Sequence, residues 1–181
     1  ELLKTADFFE VCSPGEYDIC RSAGIPAEKI VLSGVYKAET DVRRVIEECG
    51  SRAVYTAESV SQAKLLCRLA REKQKRLPVL LRLSSGNQFG MDDKTVLEIV
   101  KKSKSLEIEI IGVQFYSGTQ KRLETVIREI EKLKMFAEEA ELAGMPFKRI
   151  EYGPGLRVNY FEGEETAEEE NRLRAFSKML D

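Results

Sequence analysis

The sequence predicts an α/β fold, a mostly parallel sheet covered by helices, and three observations carry that reading. Short apolar runs alternate with stretches of helical spacing about six times. The first helical stretches stop at glycines, Gly24 and Gly50. With 181 residues, 43% of them hydrophobic, the chain is long enough to bury one sizeable core.

Element by element, DFFEV near Phe8 is a short apolar run, and PGEYDICRSAG then has helical spacing up to Gly24. KIVLSG, Lys29 to Gly34, is the next strand, followed by the helix AETDVRRVIEECG, which ends at Gly50. AVYT, Ala53 to Thr56, leads into ESVSQAKLLCRLAREKQK, where Val60, Ala63, Leu66, Cys67 and Ala70 share one helix face. PVLLRL, Pro78 to Leu83, is the clearest strand in the chain. After a polar loop come the helix DDKTVLEIVKKSK and the strand EIIGVQFY. The longest helix runs from about Lys121 to Ala143, with Val126, Ile127, Ile130, Leu133 and Phe136 inward. FKRIEYG closes the series at Tyr152 and Gly153.

Two architectures satisfy this alternation, an open doubly wound sheet and a (β/α)8 barrel, and periodicity does not choose between them. No G-x-G-x-x-G follows the first strand, which counts against a dinucleotide fold. A complete barrel takes ~250 residues, so a barrel here would be incomplete.

Composition excludes several functions. The net charge is -2 with both signs interspersed, which is not the footprint of nucleic-acid binding. The densest basic run, RLAREKQKR from Arg68 to Arg76, reads as a solvated helix end. There is no histidine, and the four cysteines lack C-x-x-C spacing, so zinc and Ser-His or Cys-His catalysis are set aside. No apolar run approaches the ~20 residues of a membrane helix, and Glu1 opens no signal-peptide pattern. Free thiols in a cytoplasmic protein are the expectation.

Ligands of parallel sheets and barrels sit at the carboxyl ends of the strands. Here those ends carry Glu10 with CSPGE, Ser33-Gly34, Thr56, Arg82 with LSSG, Tyr116 with SGTQ, and Tyr152 with GPGL. Small, hydroxylated and glycine residues there expose backbone N–H groups, which bind phosphate without a positive side chain. Arg82 within an apolar strand needs a partner, because an unpaired buried guanidinium is costly.

The order of these segments resembles the barrel domain of the fold-type III pyridoxal-phosphate decarboxylases, which act on diaminopimelate, ornithine and arginine. EVCSPGE is similar to that family's D-x-x-S-x-x-E, and KIVLSGVYKAETDV to its strand, small-residue turn and lysine, here Lys37. PVLLRL with QFGM resembles the arginine-bearing strand, GVQFYSGTQ the strand ending in H-x-G-S, and IEYGPGL the D-x-G-G-G phosphate loop. The match runs from about Phe8 to Tyr160 in register.

The resemblance implies a (β/α)8 TIM-type barrel, incomplete and covering about strands two to seven. It also implies pyridoxal 5'-phosphate as cofactor and decarboxylation of a small amino acid by a homodimer. Tyr116 would stack on the pyridine ring, and Gly118 with Thr119 would meet the phosphate. Gly153, Gly155 and Leu156 would offer it backbone donors, and Glu10 and Arg82 would position the ring. By the same resemblance the Schiff-base lysine lies on a strand upstream of Glu10, and an eighth strand and a β domain lie downstream. The chain is therefore expected to be part of a longer protein, with 1–161 as the partial barrel. Residues 162–181 would be an acidic linker and amphipathic helix of that barrel.

Departures from the pattern are specific. Tyr116 stands where the family has histidine, keeping a stacking face but not an imidazole proton. Pro154 replaces the middle glycine of the phosphate loop and has no N–H to give. Tyr55 stands where an acid is usual, and Glu10 is longer than the usual aspartate. Tyr116 and Pro154 favour the alternative, a decarboxylase-like binding or regulatory protein without catalysis. The polar loop SSGNQFGMDD, Ser84 to Asp93, is expected to line the substrate side.

Overall fold

The computed structural model describes residues 2–145, 147–158, 171 and 173–178. Six strands form one sheet: β1 (Phe9–Val11), β2 (Ile30–Leu32), β3 (Val54–Ala57), β4 (Leu77–Leu83), β5 (Ile108–Tyr116) and β6 (Arg149–Gly153). Every neighbouring pair is parallel, and the spatial order is the sequence order from β1 to β6. A doubly wound sheet would reverse that order at a switch point, so the open-sheet alternative is excluded. The chain is an incomplete (β/α)8 barrel.

Helices α1 (Leu2–Thr5) through α6 (Leu123–Leu142) alternate with the strands. The others are α2 (Pro14–Ser22), α3 (Glu39–Cys49), α4 (Val60–Glu72) and α5 (Asp93–Lys102). Ser13, Ser59 and Asp92 cap α2, α4 and α5, each side chain accepting from the backbone N–H three residues on. Among the described residues no helix is long and apolar enough to cross a membrane. Residues 171 and 173–178 are helical, whereas the acidic run Glu162 to Glu170 lies outside the described residues.

The sheet curls until its ends face each other. Gln114 on β5 hydrogen-bonds Glu10 on β1, and the Arg149 guanidinium of β6 lies 3.8 Å from the ring of Phe8, just before β1. The convex face carries the main core, including Ile30, Leu66, Leu69, Leu81, Val113 and Phe136. The concave face begins with a small apolar layer, Val31, Val54 and Leu80 with Ile111 packed on them.

One irregularity decides which side chains face inward. Val79 pairs with Ile110 but Leu80 pairs with Gly112, so Ile111 is an extra residue in β5. Before it, Ile108 and Ile110 point to the helices; after it, Val113 and Phe115 do. The bulge thus turns Gln114 inward, where strict alternation from Ile110 would have turned it outward. Gly112 is required there, because a Cβ would stand 1.7 Å from the Arg149 carbonyl oxygen.

Several details differ from the periodicity. On α4, Val60 is exposed and Cys67 only half-buried, while Leu69 is fully buried, because the covered stripe is centred on Leu66 and Ala70. Ile127 and Ile130 on α6 are likewise half-buried beside the buried Val126, Leu133 and Phe136. Tyr55 lies on the helix side of β3, where its hydroxyl donates to the Gly50 carbonyl at 2.8 Å.

Candidate cofactor site

Above the apolar layer the concave face becomes polar, through Glu10, Ser33, Thr56, Arg82, Gln114 and Glu151 at the carboxyl ends of the strands. Gln114 joins them. Its amide nitrogen lies 2.8 Å from a Glu10 carboxylate oxygen, 2.7 Å from one of Glu151 and 3.1 Å from Ser33 Oγ. Thr56 donates to Ser33 at 3.3 Å and accepts from Lys37 Nζ at 3.2 Å. Lys37 also donates to the Gly34 carbonyl and to Gln62. Burial holds the Lys37 ammonium pKa down to about 8, against the opposing pull of Glu58.

Arg82 has the partner its burial demands. Its Nη1 donates to Glu58 at 2.9 Å, with side-chain exposures of 12% and 4%, and Phe89 lies 5.3 Å from the guanidinium. The polar loop after β4 folds back through Ser84 N–H to the Met91 carbonyl and Met91 N–H to the Arg82 carbonyl, both 2.8 Å. Phe89 of that loop covers Arg82, and no residue of the loop lines the cleft described next, contrary to the expectation that Ser84 to Asp93 would.

Glu10, Arg82, Gln114, Tyr116, Glu151 and Gly153 line one cleft of about 300 Å³, together with Phe115 and Tyr152. Burial raises the Glu151 pKa, with the charge of Glu10 adding to it and the Gln114 hydrogen bond opposing. Tyr116 is 41% exposed at the mouth, and its ring edge lies where a Cβ on Gly153 would be only 2.8 Å away.

Gly118, Thr119, Gly155 and Leu156 lie on the two loops that leave β5 and β6. The loops are zipped together: Lys121 N–H donates to the Gly155 carbonyl at 2.8 Å and Arg157 N–H to the Lys121 carbonyl at 3.1 Å. Gly155 has φ +56°, and a Cβ there would stand 1.9 Å from the Gly118 carbonyl oxygen. Among the described residues no backbone acceptor takes the N–H groups of Gly118, Thr119, Gly155 or Leu156.

These features fit a phosphorylated pyridine. The free N–H groups suit a phosphate, and Tyr116 offers a ring face beside them. The polar layer has unmatched hydrogen-bonding capacity: Gln114 Oε1, Glu58 Oε2, Arg82 Nε and Glu151 Oε2 are buried without a hydrogen-bond partner. All eight residues expected at the site therefore gather at one end of the half-barrel. Sequence reasoning did not single out Glu58, Gln114 or Glu151 as site residues. Glu58 directly follows an apolar strand, the same signal that exposed Arg82.

Fold and site together define an incomplete barrel of the (β/α)8 class, with a polar cleft and two zipped loops at the strand ends. The model of the family described as pyridoxal-dependent decarboxylase, pyridoxal binding domain, matches residues 4–181, and the chain belongs to that family. It is 28% identical to the diaminopimelate decarboxylase of Haemophilus influenzae, over 88% of this chain and 42% of that protein. It is also 28% identical to the L-glutamyl-[BtrI acyl-carrier protein] decarboxylase of Niallia circulans, over 86% and 40%. The Helicobacter pylori diaminopimelate decarboxylase complexed with L-lysine superposes with a TM-score of 0.78 at 23% identity, covering 91% of this chain and 45% of that one. The chain thus spans about two fifths of the length of the relatives it matches.

Proposed function

We propose that this chain is the cofactor-binding barrel of a pyridoxal-phosphate-dependent amino-acid decarboxylase. The observation that carries the reading is the pair of zipped loops, with four free backbone N–H groups beside an exposed Tyr116 ring. In this reading Gly118, Thr119, Gly155 and Leu156 hold the phosphate and Tyr116 packs on the ring. Charge-assisted hydrogen bonds of this kind contribute ~1.5–3 kcal/mol each, so four hold a phosphate monoester firmly. Arg82, fixed by Glu58, and Glu10, fixed by Gln114, set the charge around the pyridine. When bound, the cofactor supplies an electron sink for the carbon–carbon bond that breaks on loss of CO2.

Residues 1–161 act as the partial barrel and 162–181 as linker and helix of the same barrel. The working protein is a cytoplasmic homodimer, which the four free cysteines suit. The substrate is a small amino acid. The named relatives span free diamino acids and a carrier-bound glutamyl group, so both classes belong in the screen.

A second reading, a decarboxylase-like binding protein without catalysis, is favoured by Tyr116 and Pro154. The deciding experiment adds pyridoxal 5'-phosphate to the full-length gene product, records the visible spectrum, and assays CO2 release from diaminopimelate, ornithine, lysine, arginine and carrier-bound glutamate. A cofactor spectrum shifted from that of the free cofactor, with CO2 release, supports the enzyme. No such shift in folded protein, or a shift without CO2 from any substrate, sinks the enzyme and leaves the binding or regulatory protein.

A further inference from the structure

Glu129 lies on α6, outside the cleft, yet its carboxylate meets the first cradle loop and the end of β6, from which the second loop leaves. Its Oε2 accepts from Lys121 Nζ at 2.7 Å and from the Tyr152 hydroxyl at 2.6 Å, while Oε1 accepts from Ser117 Oγ. Lys121 also donates to Ser117 Oγ at 2.7 Å. Ser117 and Lys121 lie within the first loop, and Tyr152 lies on β6, next to Gly153, the residue from which the second loop leaves. The Lys121 and Glu129 side chains are 10% and 13% exposed. Burial works to raise the Glu129 pKa, but the hydrogen bonds from Lys121, Ser117 and Tyr152 outweigh it and hold the group below the usual carboxylate range.

We propose that Glu129 is a positioning residue for the phosphate end of the site, ordering both cradle loops through one carboxylate. This rests on the reading of those loops as a phosphate cradle and names what fixes them. Backbone donors bind tightly only when their directions are set beforehand, since loops that must be ordered on binding lose affinity. The zip between Lys121, Gly155 and Arg157 aligns the loops with each other, and Glu129 aligns the zipped pair with α6. Lys121, neutralised by Glu129, acts as a strut here and not as a ligand of the phosphate.

The test is a ratio. In the full-length gene product, the affinities for pyridoxal 5'-phosphate and for pyridoxal are measured by fluorescence titration in the wild type and in Glu129→Gln. The substitution is expected to weaken the phosphorylated ligand roughly 10- to 100-fold, the equivalent of one charge-assisted hydrogen bond, and to leave pyridoxal unchanged. Equal loss of both ligands, or of neither, overturns the positioning role. If Glu129→Gln does not fold, Tyr152→Phe decides: it removes one hydroxyl, and a smaller fall in the same ratio is expected, while an unchanged ratio overturns the proposal. A wild type that binds both ligands equally overturns the cradle reading and this proposal with it. Preference for the phosphate in the wild type, with a ratio insensitive to both variants, overturns only the role of Glu129.

Discussion

The concave face of the half-barrel holds two layers one pleat apart, and they are held together by different forces. Val31, Val54 and Leu80 make the lower layer with Ile111; two residues further along the same strands stand Ser33, Thr56 and Arg82, with Gln114 beside them. The lower layer is held by exclusion of water alone. The upper layer hangs on the buried Arg82–Glu58 ion pair, a looser contact of Glu151 with Arg149 and a chain of hydrogen bonds, and it leaves four buried polar atoms without a hydrogen bond. Stability alone would favour apolar residues in both layers, since a well-packed apolar group often matches or betters a buried ion pair. Under the proposed function, the polar layer is the part of the interior given over to the cofactor.

Breaking the upper layer on one side should give the largest effect. Arg82→Met leaves Glu58 buried and unpaired, and chemical denaturation should show a loss of about 3–5 kcal/mol. Adding Glu58→Leu should restore most of that stability while leaving cofactor affinity low. Full recovery of binding in the double variant would contradict the division between the layers. In the lower layer, Leu80→Ala should cost about 3 kcal/mol by the same measurement through the cavity it leaves. It should leave the preference for pyridoxal 5'-phosphate over pyridoxal intact.

Lys37 tests the rim of the polar layer through pH. With its pKa depressed to about 8 from an ordinary 10.5, the charged amine opposes folding at neutral pH. Between those values the unfolded chain binds more protons than the folded one, so stability rises with pH across that window. Lys37→Met lacks this rise. The melting temperature of the wild type relative to Lys37→Met should climb by about 5–10 °C from pH 8 to 10.5, and a flat difference would refute the assignment.

The smallest effect concerns Glu151, whose pKa burial raises. A raised carboxyl favours its protonated form in the folded state, so its contribution is present at low pH and lost as pH climbs through the folded pKa. Glu151→Gln should therefore raise the melting temperature at neutral pH by about 1–2 °C, and should lose that advantage in acid.

Much of this was legible in the sequence, because a parallel barrel writes itself as alternating runs, and strand ends can be read for glycine, hydroxyl and charge. Arg82, Glu10, Tyr116 and the glycines of both loops were placed at the strand ends that way, where the structure has them. Gln114 was not, since an amide inside EIIGVQFY gives no sign of facing two carboxylates on strands remote in sequence. Glu129 was hidden for a related reason: on a helix rich in Glu and Lys, one buried carboxylate looks like its solvated neighbours. The choice of barrel over open sheet came from segment order and not from periodicity, which describes each strand and not the way a sheet curls.

The extra residue Ile111 has a further consequence. Upstream of it β5 follows one alternation in residue number and downstream the opposite one, so the bulge absorbs one residue and keeps Val113 on the same side as Ile110. Loss of a single codon there would leave the composition of the strand almost unchanged. With Ile111 gone, Gly112 would follow Ile110 opposite Leu80 in a regular strand, so Gln114 and Tyr116 would still face the cleft, and the loss would fall on the apolar layer beneath them, where Ile111 packs on Val31, Val54 and Leu80.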